Sequence, residues 1–180
     1  MTLREFRSLL DKHSNEIYKL THKDMPRIVG NMAVSHFKSN FRQGGFVNGG
    51  LHPWKPAKRR LSGGKGAGNN YKTLLSGRNH LYSSINYIPG DARVTVYNDV
   101  EYAAIHNEGG TINMPPRKQV IHFNEKGKFS KLALASYAQK VNRKPYIISM
   151  PKRQFIGDSK ELTEKIQNKI EEKLDKIWNL

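Results

Sequence analysis

The sequence predicts an α+β fold: a mainly antiparallel sheet of about five short strands, packed by N-terminal and C-terminal helices and carrying a long basic loop. Three observations predict it. Apolar residues recur every three or four positions only near the two ends, alternation and turn residues cluster between 82 and 150, and eight of the fifteen glycines fall between Gly44 and Gly68. At 180 residues the chain reads as one domain, long enough to bury about 70% of its unfolded surface. Its parts are a helical stretch (1–43), a Gly-rich basic loop (44–72), a β-rich part (73–157) and a C-terminal helix (158–180).

Thr2 and Glu5 have the spacing of a capping box, and Leu3, Phe6, Leu10, His13, Ile17 and Leu20 follow at helical intervals. Asp24 and Pro26 read as the start of a second helix, since Asp caps orphan N–H groups and the missing donor of proline costs nothing in a first turn. Ile28, Val29, Met32, His36, Phe37 and Phe41 continue that face until Gly44-Gly45 stops it. From Phe46 to Tyr71 turn formers predict a long loop, with Trp54 between Pro53 and Pro56 as a compact apolar anchor. The GGKGAG run inside it has no Ser or Thr after Lys65 and no preceding strand, so it reads as a mobile basic tip and not as a phosphate loop.

Tyr82–Ile88 and Ala92–Tyr97 flank Pro89-Gly90-Asp91, which is a hairpin signal with Ala92, Val94 and Val96 on one face. Asn98-Asp99 cap a short helix over 101–107, ended by Gly109-Gly110 before Thr111-Ile112. Val120–Phe123 and Tyr146–Met150 read as strands; within 124–144 between them, NEKGK is a turn and FSKLALASYA fits either a strand arm or a short helix. Asp158 to Glu161 open a last helix whose stripe is Leu162, Ile166, Ile170, Leu174 and Ile177, set among nearly balanced charges.

With no cysteine, disulfides, thiolate zinc sites and cysteine nucleophiles are excluded together. No apolar run approaches the ~18 residues of a membrane span, and a soluble, unexported protein is expected. The net charge is +16, and no Asp or Glu lies between Asp24 and Asp91, an interval that holds ten Lys and Arg. A second basic zone runs from Arg117 to Arg153 with Glu125 as its single acid. Such zones attract polyanions or an acidic protein face, over a range that salt limits to about 8 Å.

The stretch YAAIHNEGG (Tyr102–Gly110) holds the one pair with chemical potential, His106 and Glu108. Two ligands on a turn are too few for zinc, which takes about four. There is no HExxH, paired-carboxylate or GxSxG pattern either. No catalytic or metal residue, no cofactor and no enzyme activity is therefore expected. Tyr102, Ile105, His106, Gly109 and Gly110 read as a structural corner, with Tyr102 and Ile105 buried, His106 hydrogen-bonded and the glycines at backbone angles that other residues avoid. Trp54, Lys55, Lys58, Arg59, Arg60 and Lys65 are the candidate partner-docking residues.

FRQGGF (Phe41–Phe46), WKP (Trp54–Pro56), LLSGR (Leu74–Arg78), SSINY (Ser83–Tyr87), NDVEYAAIHNEGGTI (Asn98–Ile112) and PKRQFIG (Pro151–Gly157) form a series of landmarks. In this series the chain resembles the phage virion morphogenesis family, the tail-completion proteins of Mu-like phages and prophages, with Arg153, Phe155 and Gly157 in the family-like closing segment. The resemblance implies a non-enzymatic structural protein, made in the host cytoplasm and placed in the tail or neck of the virion. It further implies a ring-like homo-oligomer, docking on tail or connector proteins, non-specific DNA contact at most, and no membrane. Two other readings stand beside it: a basic nucleic-acid-binding module that stacks bases on Tyr71, Tyr82, Tyr87 and Tyr97, and a small enzyme using His106 and Glu108.

Overall fold

The computed structural model describes residues 1–61, 63–64 and 66–178. The fold class is α+β, and the chain packs as two compact units, Met1–Glu108 with Lys152–Leu180, and Gly109–Pro151.

The first unit opens with α1 (Leu3–Lys19), whose capping box forms in both directions: the Glu5 amide donates to Thr2 Oγ1 (3.2 Å) and the Thr2 amide to Glu5 Oε2 (2.7 Å). The break expected at Asp24 does not occur. Leu20–Asp24 form a π turn that runs directly into α2 (Met25–Gln43), and Asp24 makes no capping bond. Pro26 supplies the reason, because it has no N–H to return to the His22 carbonyl and its ring crowds the turn before it, a conflict that one inserted residue relieves. The His22 carbonyl accepts instead from the Ala92 amide (3.4 Å), and His22 Nδ1 lies 2.7 Å from Asp91 Oδ1. Leu20 and Met25, on either side of the insertion, are both buried in a small cluster with Ile177.

Gly44 ends α2 in the left-handed conformation (φ 77°), its amide donating to the Asn40 carbonyl at 2.8 Å. Over 46–71, where the sequence reads as loop, the chain forms a ladder of β1 (Gly45–Val47) with β2 (Leu51–Pro53), then the one-turn helices α3 (Lys58–Leu61) and α4 (Ala67–Asn70). Elements this short contain no full period, so no pattern announces them. A further one-turn helix, α5 (His80–Ser83), precedes the hairpin of β3 (Ile85–Gly90) and β4 (Arg93–Asn98). Gly90 faces Arg93, so Asp91-Ala92 make the turn and Pro89-Gly90 belong to the strand. On β4 the half-buried positions are Val94, Val96 and Asn98. After α6 (Ala103–Glu108), the unit resumes at residue 152 and closes with α7 (Lys160–Trp178). Ser159, one residue beyond the expected Asp158, takes up the Leu162 amide through Oγ (3.3 Å).

Phe41 is the centre of the core at 0% exposure, with the rings of Trp54, Tyr82 and Phe155 set edge-on at centroid distances of 5.4, 5.8 and 5.2 Å. Helix and hairpin touch most closely at Gly30 of α2, where an added Cβ would stand 2.1 Å from a ring carbon of Tyr87. Only glycine lets them meet.

The second unit holds β5 (Gly110–Met114), β6 (Arg117–Phe123), β7 (Tyr137–Arg143) and β8 (Tyr146–Met150). β5 pairs with β8 and β6 with β7, both antiparallel. Met114 faces Tyr146 and Arg117 faces Arg143, so one register carries through the gap at Pro115-Pro116 and Pro145. Prolines have no N–H for a ladder; they interrupt the bonding and leave a single ribbon about 45 Å long. The 124–144 stretch holds both alternatives in part: a turn and a 3₁₀ turn at Leu132–Leu134, and then strand only from Tyr137 to Arg143. Among the described residues of this unit none is buried.

Candidate functional site

The short segment Arg153–Gly157 threads between α6 and the β1–β2 region, held by one backbone bond and two asparagine side chains. The Arg153 amide donates to the His106 carbonyl (2.8 Å), closing the C-terminal end of α6. Asn107 Oδ1 accepts from the amides of both Phe155 (2.9 Å) and Ile156 (3.0 Å). From the other side, the fully buried Asn40 donates through Nδ2 to the Phe155 carbonyl (3.3 Å) and accepts from the Val47 amide (3.3 Å). The backbone of Phe155 is therefore satisfied on both sides while its ring, 1% exposed, enters the core.

This answers what YAAIHNEGG is for. Asn107, which periodicity and motif searches pass over, is the residue of that stretch with the widest structural reach; its signal was an Asn in a helical last turn beside two glycines. Glu108 is exposed. Tyr102, expected to be buried, is 46% exposed, because Ala103 is the residue that α6 turns into the core; Ile105 is half-buried. Gly109 (φ 77°) and Gly110 (φ 139°) adopt backbone that other residues avoid. His106, expected to be hydrogen-bonded through its ring, has Nδ1 buried without a protein partner, and the Tyr102 ring meets it edge-on at 5.8 Å. Burial, then the Arg153 charge, pushes its pKa below the usual 6.5.

Beside the Arg153–Gly157 segment, a hook into the core, lies a cavity of about 190 Å³ lined by Arg59, Thr73, Ser76, Tyr102, His106 and Arg153, among others. Arg153 is 7% exposed, and donates through Nε to the Lys55 carbonyl (2.9 Å) and through Nη2 to that of Pro56 (3.4 Å). Arg59 Nη2 donates to the carbonyls of Lys72 (3.1 Å) and Leu75 (2.6 Å).

The landmark segments FRQGGF, WKP, SSINY, YAAIHNEGG and PKRQFIG thus each place a residue in one core cluster: Phe41 and Phe46, Trp54, Ile85, Ala103 and Phe155. The model of the phage virion morphogenesis family matches residues 2–175. The chain belongs to the phage virion morphogenesis family. No curated protein and no solved structure matches it. As a member of that family it is a phage structural or morphogenesis protein, made in the host and associated with the virion. No helix among its described residues is long and apolar enough to cross a membrane.

In this morphogenesis protein the candidate docking residues divide sharply. Trp54 is 7% exposed, its ring against Phe41 and its indole N–H donating to the Gln154 carbonyl (2.7 Å). The anchor role read from its two prolines is what it performs, and that role takes it away from any partner. Lys55, Lys58, Arg59 and Arg60 are surface residues, although Arg59 also staples α3 to the 72–75 turn. Lys65 lies outside the described residues. Sequence reading placed the docking surface on this loop and overlooked the ribbon of 109–151, where Phe129 is 80% and Leu134 73% exposed. Eight Lys and Arg accompany the single Glu125 there.

Among the described residues no group of three or more His, Cys, Asp or Glu could hold a metal ion.

Proposed function

We propose that this chain acts in tail completion and head–tail joining, as a non-enzymatic subunit that associates with copies of itself in a ring-like assembly and docks on the tail end. The observation that carries the reading is the ribbon of 109–151. A two-stranded ribbon with no buried residue among those described is at best marginally stable alone in water. Its free edges and exposed Phe129, Leu134 and Ile147 gain order when another chain covers them, and a head-to-tail contact repeated around a closing rotation supplies such a chain for every copy. Membership in a virion morphogenesis family supports the setting. Native mass spectrometry and negative-stain imaging of the purified protein, alone and with tail tubes, test it. Rings or tail-end caps are expected; monomers in both samples would refute it.

One observation favours a second reading, a nucleic-acid-binding module. On the ribbon Arg117 stands directly across from Arg143, and like charges so placed destabilise a sheet until an anion joins them. The two readings predict opposite responses to salt. DNA binding weakens steeply as salt rises, through counterion release, whereas association between copies that each carry +16 strengthens as their repulsion is screened.

A further inference from the structure

We propose that the cavity beside the hook is a binding site for a small oxyanion group, a phosphate or a carboxylate. Arg59 and Arg153 line it together with His106 and the hydroxyl-bearing residues Thr73, Ser76 and Tyr102. Among its described lining residues none is Asp or Glu. Arg153 and Thr73 form a buried floor; Arg59, Ser76 and Tyr102 are exposed at the rim.

The placement of Arg153 is the anomaly that asks for a ligand. It is a charge that is more than nine-tenths buried, and a buried charge is normally paired. This side chain donates to two neutral backbone carbonyls, one of them at 3.4 Å. Burial first, and then the Arg59 charge, work against its protonated form. An oxyanion between the two guanidiniums would turn that repulsion into shared attraction. The hydroxyls and the buried edge of His106 offer further polar contacts.

Size narrows the ligand. About 190 Å³ holds several waters or one small anion, but falls short of the ~300 Å³ at which sites for drug-sized ligands begin. A whole nucleotide is too large; a terminal group is not. The wall also carries backbone strain, since Leu74 takes a φ of 65° that a leucine avoids, and strain of this kind collects at ligand sites. The site is distinct from the ribbon and does not depend on the tail-end reading.

The test is an NMR titration of the full chain, following the assigned Nε–H signals of Arg59 and Arg153, with those of the exposed Arg4 and Arg7 of α1 as controls. Sodium phosphate and sodium acetate are added separately, with ionic strength held constant by sodium chloride. A saturable shift confined to Arg59 and Arg153 is expected with at least one of the two anions, and which one responds identifies the group. Arg59→Gln should weaken half-saturation about tenfold. No saturable shift with either anion, or equal shifts at all four arginines, would overturn the proposal. The wild-type titration decides the matter even if the variant does not fold.

Discussion

One side-chain oxygen, Asn107 Oδ1, holds two consecutive amides of the hook. Asn107→Ala leaves both amides without a partner in a partly buried setting, at about 1–3 kcal/mol each. We expect a loss of roughly 2–4 kcal/mol in urea denaturation, and far less for Asn107→Asp, which keeps the acceptor. Titrating residues give a second expectation. His36 and His106 have pKa values lowered from 6.5, in both cases first by burial. The unfolded chain therefore binds more protons just below pH 6.5, so the stability these residues contribute is complete above 6.5 and declines as pH falls beneath it. Glu161 is held down to about 2, by its own amide first and then that of Gly50. Its contribution is intact above its ordinary 4.5 and lost between 4.5 and about 2. Stability against pH should accordingly fall in two stages, with His106→Gln flattening the first and Glu161→Gln the second. Little of this was legible beforehand. Phe41, Phe155 and Trp54 could be read as apolar anchors, but a polar side chain that reaches across 48 residues to a backbone amide leaves no periodic trace.

At the scale of elements, periodicity revealed what was long and missed what was short. α1, α2, α7 and the β3–β4 hairpin follow their apolar patterns, while β1, β2, α3 and α4 were invisible because three or four residues define no period. Pro26 was read correctly as a first-turn residue, yet the pattern could not say whether the helix would break or swell there. The close contact of α2 with β3 gives a test that runs against propensity. Gly30→Ala should gain about 1 kcal/mol in a free helix, but here the new methyl meets the Tyr87 ring at 2.1 Å, an overpacking of about 1–3 kcal/mol. A lower melting temperature is expected. An unchanged or raised one would mean that α2 and β3 are looser than described.

For the whole molecule, class and composition were readable because they depend on sums: charge, glycine content and the grouping of strands between helices. The division of labour was not. Among the described residues every buried one belongs to 1–108 or 152–178, so replacing 115–145 with a two-residue Asn-Gly turn should leave the main thermal transition close to wild type. If the ribbon mediates assembly, the same deletion should abolish rings in native mass spectrometry. A fully unfolded deletion variant would show instead that the first unit depends on the ribbon.

The prolines that interrupt the ribbon have one more effect. Below them the half-buried positions are even-numbered, Met114, Ile148 and Met150; above them they are mainly odd-numbered, Gln119, Ile121, Phe123 and Val141. Since side chains alternate sides along a strand, the greasy stripe crosses from front to back halfway along. No single flat surface can cover both halves. Such an arm is fully sheltered only when clasped, with one body against its root and a different body behind its far end.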